Sequence, residues 1–226
     1  MQLNGNFLIL GDSFCQHIKY WPTYLGDQLG YSPGNRITHG IIGASWWKTR
    51  EYLVDYLPHD KKFFRNLDLM VLIHPSGTRP MTLNTQISGQ TPLDLPRHFD
   101  NQQFTDEELA VSLYYKYICD PEQRRWTERR WFEELAGMIQ NFRTVHLFTD
   151  SQSLEFAHLL PGVKVPTLLT DLALLNIKRG QQSLINDEQY GFANHFSLAH
   201  NRVFAAQLHD IIQGSATDFD HSLFCQ

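Results

Sequence analysis

The stretch that decides the reading is Phe7-Leu8-Ile9-Leu10-Gly11-Asp12-Ser13-Phe14. Its apolar run is short and ends at a Gly-Asp-Ser turn, which predicts a strand buried on both faces. The chain repeats this pattern downstream. Gln16 to Leu29 places Ile18, Trp21, Leu25 and Leu29 at helical spacing, with Pro22 near the start and Gly30 and Ser32-Pro33-Gly34 past the end. Arg36 to Ile42 is a second strand, ended by Gly43, and Lys48 to Phe64 is a helix broken near Pro58. Leu67 to Ile73 is a third strand, stopped by His74-Pro75-Ser76-Gly77. Asp106 to Tyr117 and Pro121 to Phe142 read as helices, the second with an apolar stripe of Trp131, Leu135, Met138 and Phe142. Thr144 to Phe148 is a fourth strand, Ser151 to Leu160 a short helix, and Val163 to Val165 an edge strand. Leu168 to Ile177 and Ser197 to Ile212 are helices. Strands alternating with helices predict an α/β protein, a parallel sheet covered on both faces.

Residues 1–214 read as a single domain and 215–226 as a loosely attached tail. The segment 78–105 is polar, carries Pro80, Pro92 and Pro96, and keeps no sustained period. It reads as an insertion within the domain; a loop of this length is usually functional or mobile.

Composition excludes several classes. With 15 Phe, 9 Tyr and 5 Trp among 226 residues, disorder is no description of this chain. The net charge of −5 disfavours a dedicated polyanion binder. Arg124, Arg125, Arg129 and Arg130 are interleaved with Glu122, Glu128, Glu133 and Glu134, the pattern of a solvated helix face rather than a nucleic-acid patch. No apolar run approaches the ~20 residues of a membrane helix, and the first residues lack a basic flank and cleavage site, so the expectation is a cytoplasmic protein without a membrane partner. Cys15, Cys119 and Cys225 are widely spaced and form no CxxC pair, which points to reduced thiols. The eleven histidines include no HExxH, and His195 and His200 are five apart, off any shared helical face; no metal is expected.

In open parallel sheets the ligand crevice lies beyond the carboxyl ends of the strands. Those ends carry Gly11-Asp12-Ser13, Gly43-Ala44-Ser45 and His74-Pro75-Ser76-Gly77-Thr78-Arg79, and Asn194-His195-Phe196-Ser197 precedes the last helix. A serine at a strand-to-helix turn exposes its hydroxyl, and its own N–H can bind an oxyanion. A histidine from a late loop can act as its base. Each residue also has a plainer reading. Ser13 could cap a helix, Gly43 could serve a turn with positive φ, and His195 could be a satisfied polar residue. Asp12 reads as a hydrogen-bonding residue of the turn, Trp46 and Trp47 as core or as walls of a cleft, and His74 and His200 as non-catalytic.

Taken together, Gly11-Asp12-Ser13-Phe14 after the first strand, Trp21-Pro22-Thr23-Tyr24-Leu25 with Leu29-Gly30, Gly43 in Ile41-Ile42-Gly43-Ala44-Ser45, and His195 before the last helix resemble the sequence blocks of the GDSL, or SGNH, hydrolases. The resemblance implies a three-layer, flavodoxin-like sheet flanked by helices. It also implies ester hydrolysis without a cofactor: Ser13 attacks, His195 takes its proton, and the N–H groups of Ser13 and Gly43 hold the oxyanion. By the same analogy the partner is a small-molecule ester with a small acyl group, acetyl among the candidates; the polar insertion argues mildly against long-chain lipids.

Two positions depart from the family pattern. The third block lacks the Gly-x-Asn whose amide donates to the oxyanion, leaving Ser76, Arg79 or His74 as possible additional donors. The last block lacks Asp-x-x-His, because Phe192 stands where the acid belongs. Asp187 is one possible third acid. The backbone carbonyl at 192, in a Ser–His dyad, is the slightly favoured alternative. A catalytically degenerate relative acting as a binding module, or a flavodoxin-like ligand-binding domain of other ancestry, also fits.

Overall fold

The computed structural model of the chain describes residues 5–15, 20–41, 44–56, 59–76, 79, 106–178, 196 and 198–225. Five strands form one sheet: β1 (Asn6–Gly11), β2 (Arg36–Gly40), β3 (Leu67–His74), β4 (Thr144–Phe148) and β5 (Val163–Leu168). Every pairing is parallel and the order is β2-β1-β3-β4-β5. The helices are α1 (Trp21–Gln28), α2 (Trp46–Glu51), α3 (Lys61–Arg65), α4 (Asp106–Leu113), α5 (Pro121–Ile139), α6 (Ser151–Leu154), α7 (Leu169–Lys178) and α8 (Leu198–Gln213). This is the predicted α/β fold with a flavodoxin-like strand order.

Alternation along the strands divides the core in two. Phe7, Ile9, Val71, Ile73, Val145 and Leu147 pack with residues of α1, α7 and α8, among them Trp21, Leu25, Leu172, Phe204 and Leu208. Leu8, Leu10, Met70, Leu72 and Phe148 pack with Trp46 of α2, Phe63 and Phe64 of α3, and Trp131, Phe132 and Leu135 of α5. Trp46 is therefore core; its ring stacks on Trp47 at 4.3 Å and lies 5.6 Å from Trp131. Three of the four arginines on the outer face of α5 are matched by acids, Arg125 by Glu155 and Arg129 and Arg130 by Glu133, while Arg124 donates to the Gln152 side chain.

Some boundaries differ from the sequence reading. The break expected near Pro58 is one point of agreement: α2 runs into a π-helical turn over Tyr52–Tyr56 and α3 resumes at Lys61, with residues 57–58 outside the described ones. β5 extends through Leu168; Pro166 is tolerated because the strand is an edge, and the register with β4 shifts between His146 and Phe148. Gly162 enters β5 at φ +80°, where a Cβ would lie 2.5 Å from the Thr144 carbonyl oxygen. The expectation of a loose tail after Gly214 is corrected. Phe219 and Phe224 are buried in the same cluster as Phe204. Asp218 accepts from the Thr167 N–H at 3.3 Å, and the Gln207 amide donates to the Asp220 carbonyl at 3.3 Å. Two aromatics in a polar segment are easy to discount, yet burial of each contributes about 2 kcal/mol. Of the insertion expected over 78–105, Arg79 is described and the other residues lie outside the described ones.

Candidate active site at the carboxyl ends of the strands

The strand order reverses direction at β1 and β3, and this switch point opens the crevice in which such sheets bind ligands. β1 ends at Gly11, where a Cβ would come within 2.6 Å of the Ile73 Cβ. The glycine is thus required by the close approach of β3, whatever follows it. Asp12 comes next and is fully buried. Its Oδ1 accepts from the Phe14 N–H at 3.1 Å, and its carbonyl accepts from the Cys15 N–H at 3.2 Å, closing a single 3-10 turn over Ser13–Cys15. Asp12 is the turn-forming residue that its sequence position suggested. Ser13 opens this turn. Burial and the nearby Asp12 charge push the Cys15 thiol well above its usual range, so it stays an inert thiol.

Among the described residues Asp12 Oδ2 takes no hydrogen bond, but it lies 3.2 Å from Nη2 of Arg79. Arg79 Nη1 donates to the carbonyl of Ala44. The Ala44 N–H in turn donates to the Ile41 carbonyl, and the Ile41 N–H donates to the Gly11 carbonyl. One guanidinium therefore joins the end of β1 to the loop after β2. Nothing in the sequence paired Asp12 with Arg79, which are separated by α1, β2, α2, α3 and β3.

Ser76 occupies a different place. Its hydroxyl donates to the Asp150 carboxylate. Asp150 also caps α6, accepting from the Ser153 N–H at 2.9 Å while its own N–H donates to Ser153 Oγ at 3.3 Å. The Asp150-Ser151-Gln152-Ser153 spacing is a capping signal that sequence reasoning missed. His74 ends β3 beneath these groups, 2.9 Å from His146 Nδ1 through its Nε2. His146 Nε2 faces the Pro161 carbonyl at 2.9 Å. A carbonyl only accepts, so His146 carries its proton on Nε2, and His74 Nε2–H donates to His146 Nδ1. Burial lowers both imidazoles, His146 to about 4, and both are neutral.

The last block is anchored at Phe196. Its ring meets that of Phe14 edge-on at 5.6 Å and that of Phe204 at 4.8 Å. The Phe196 carbonyl accepts from Asn201 Nδ2 at 3.0 Å, and Asn201 Oδ1 accepts from the Trp21 N–H at 3.2 Å. The Trp21 indole N–H donates to the Phe14 carbonyl at 2.6 Å. A chain of buried hydrogen bonds thus runs from Phe14 through Trp21 and Asn201 to Phe196. It brings the residue after Ser13 against the residue after His195. Asn201 has no signal in the sequence beyond being a polar residue on an apolar helix. Gly43, His195 and Asp187 lie outside the described residues, as do Asn194 and Ser197. His200 is buried next to Phe224 at 5.8 Å, and burial lowers its imidazole.

No helix among the described residues is long and apolar enough to cross a membrane. No protein-family model and no curated protein matches the chain. Among solved structures it is similar to a "putative GDSL-like lipase" from Parabacteroides merdae ATCC 43184, with a TM-score of 0.50 and 11% identity over 96% of this chain and 98% of that one. That likeness, at so low an identity, concerns the fold: a five-stranded parallel sheet between helices, shared with a GDSL-like neighbour.

Proposed function

We propose that the chain is a serine ester hydrolase of SGNH type, acting on a small-molecule ester with a small acyl group, acetyl included. In this reading Ser13 attacks the acyl carbonyl and His195 takes the hydroxyl proton, then gives it to the leaving alkoxide. The N–H groups of Ser13 and Gly43 stabilise the oxyanion. No cofactor is required. The observation that carries the reading is the contact of Phe14 with Phe196, reinforced by the Trp21–Asn201 hydrogen bonds. It supports a common position for Ser13 and His195 at the carboxyl end of β1. The fold likeness to a GDSL-like neighbour points the same way.

The imidazole of His195 is oriented in this proposal by the backbone carbonyl at 192, as a dyad, with Asp187 the alternative acid. Of the three additional donors, Ser76 and His74 are the weaker, since the Ser76 hydroxyl is already turned to Asp150 and the His74 Nε2–H to His146. These same engagements favour a second reading, a degenerate SGNH-like domain that binds but does not cleave. A fluorophosphonate probe separates the two. The expected outcome is covalent labelling of the wild-type protein, no labelling of Ser13→Ala, and loss of p-nitrophenyl acetate hydrolysis by about three orders of magnitude or more in that variant. A wild-type protein that is folded, unlabelled and inactive would decide for the binding module.

A further inference from the structure

Asp12 directly precedes Ser13, and Ala44 directly follows Gly43. These neighbours of the two proposed oxyanion donors are joined by one side chain, Arg79. We propose that Arg79 is a positioning residue that fixes the distance between the Ser13 and Gly43 loops, and so the width of the oxyanion hole. The inference rests on the esterase reading above. It assigns to the third block a spacing role in place of the direct donation that an asparagine would give.

The energetics favour a clamp. A carboxylate as buried as Asp12 costs several kcal/mol unless paired. Its one charged partner among the described residues is Arg79, at 3.2 Å. Asp12 cannot swing away to find another, because its Oδ1 holds the Phe14 N–H and its carbonyl holds the Cys15 N–H. On the other side Ala44 is held through the Ile41 carbonyl. The two Nη atoms of a guanidinium are fixed in one plane, so partners bound to each are set at a fixed separation. A lysine has a single nitrogen on a flexible stem and holds either partner without defining the spacing between them. Oxyanion donors act only within a few tenths of an ångström of their proper place, and a misplacement of about 1 Å costs on the order of a hundredfold in rate.

The test uses the full chain and the variants Arg79→Gln and Arg79→Lys. Hydrolysis of p-nitrophenyl acetate is measured together with amide hydrogen exchange in the segments 11–15 and 44–48. For Arg79→Gln we expect kcat to fall about a hundredfold with KM within about threefold, circular dichroism unchanged, and exchange faster in both segments together. Arg79→Lys should restore protection in at most one segment and recover little of kcat. Loss of kcat with exchange unchanged in both segments would make Arg79 a direct donor and overturn the clamp, as would a kcat within about threefold of wild type. Should wild-type protein neither hydrolyse the ester nor take the fluorophosphonate label, the esterase reading fails by itself. The exchange measurement then decides the clamp alone, and unchanged exchange in Arg79→Gln overturns it.

Discussion

The two faces of the sheet are built from different materials. Toward α1 and α8 the strands present Phe7, Ile9, Val71, Ile73, Val145 and Leu147, and they meet Trp21, Phe196, Phe204, Phe219 and Phe224. Toward α2 and α5 they present Leu8, Leu10, Met70, Leu72 and Phe148, but also His74 at the end of β3 and His146 in the middle of β4, with Glu128 buried on α5 one turn before Trp131 and Phe132. Apolar burial is indifferent to pH near neutrality. Buried ionisable groups are not. The histidines are held neutral, with pKa values below those of the unfolded chain, so the stability they contribute is present above about pH 6.5 and lost as the pH falls toward 4, the value for His146. Glu128 is shifted upward to about 8 and acts in the opposite direction. One face is mainly apolar, with the buried His200 beside Phe224 as its shifted imidazole, and anchors the Phe196 end of the site; on the other, the histidines lose stability as the pH falls from 6.5 toward 4 and Glu128 loses it as the pH rises from 4.5 toward 8.

The largest expected effect lies on the apolar face. Phe204 is fully buried between Trp21 at 5.1 Å, Phe196 at 4.8 Å and Phe219 at 4.8 Å. Phe204→Ala removes a ring that its neighbours cannot replace, and should cost about 3–5 kcal/mol in denaturant unfolding. The same loss at pH 5.5 and pH 8 is expected. A loss differing by more than about 1 kcal/mol between them would break the contrast between the faces.

Asn201 sharpens the contrast from the site's side. Asn201→Ala leaves the Trp21 N–H and the Phe196 carbonyl without that amide, for an expected cost of about 2 kcal/mol. In the esterase reading it also frees the backbone next to His195, so kcat should fall at least about tenfold. Unfolding midpoints and p-nitrophenyl acetate kinetics, measured on the same preparation, check both. A stable variant with unchanged kcat would separate the Phe196 anchor from the catalytic histidine.

What was legible in the sequence follows the same division. Short apolar runs between turn residues locate the inner strands β1, β3 and β4, because strands buried on both faces need no alternation to be seen; the less buried edge strands β2 and β5 were placed by the turn residues around them. The helical stripes locate α5 and α8 within a few residues. The sequence blocks draw attention to Ser13, Gly43 and His195 through a resemblance, since a tripeptide, a glycine and a late histidine carry no geometry of their own. The tertiary ties were not legible. Asp12 finds Arg79 only because the order β2-β1-β3 brings two loop ends to one point, and no local propensity encodes that pair. Asn201 looks like an interruption of an apolar stripe until Trp21 and Phe196 are seen on either side of it. The tail misled for the opposite reason: Phe219 and Phe224 sit among polar residues, and only the open end of the cluster around Phe204 gives them a place.

Glu128 offers the smallest and most specific test of the titratable face. Its carboxyl is raised first by burial and then by the Asp150 charge, with Arg124 opposing and Glu155 adding to the rise. Asp150 is held in place by the α6 cap and by Ser76, so the charge facing Glu128 is fixed. Between the unfolded value near 4.5 and the folded value of about 8 the folded protein holds a proton that the unfolded chain has released. Stability therefore falls as the pH rises through this window. One pKa unit corresponds to about 1.4 kcal/mol, which sets a ceiling near 5 kcal/mol, and the polarisable surroundings of a real interior reduce it to about 2 kcal/mol. Glutamine has the shape of the protonated acid and cannot ionise. Glu128→Gln should accordingly raise the thermal midpoint by roughly 4–8 °C at pH 8.5, at about 2–4 °C per kcal/mol for a chain of this size, and the gain should shrink steadily toward pH 5. Thermal unfolding across that range decides the matter. An equal gain at both ends would mean that glutamine merely packs better, and a destabilised variant at pH 8.5 would mean that the ionised carboxylate has a partner on α5 or α6 strong enough to outweigh its burial.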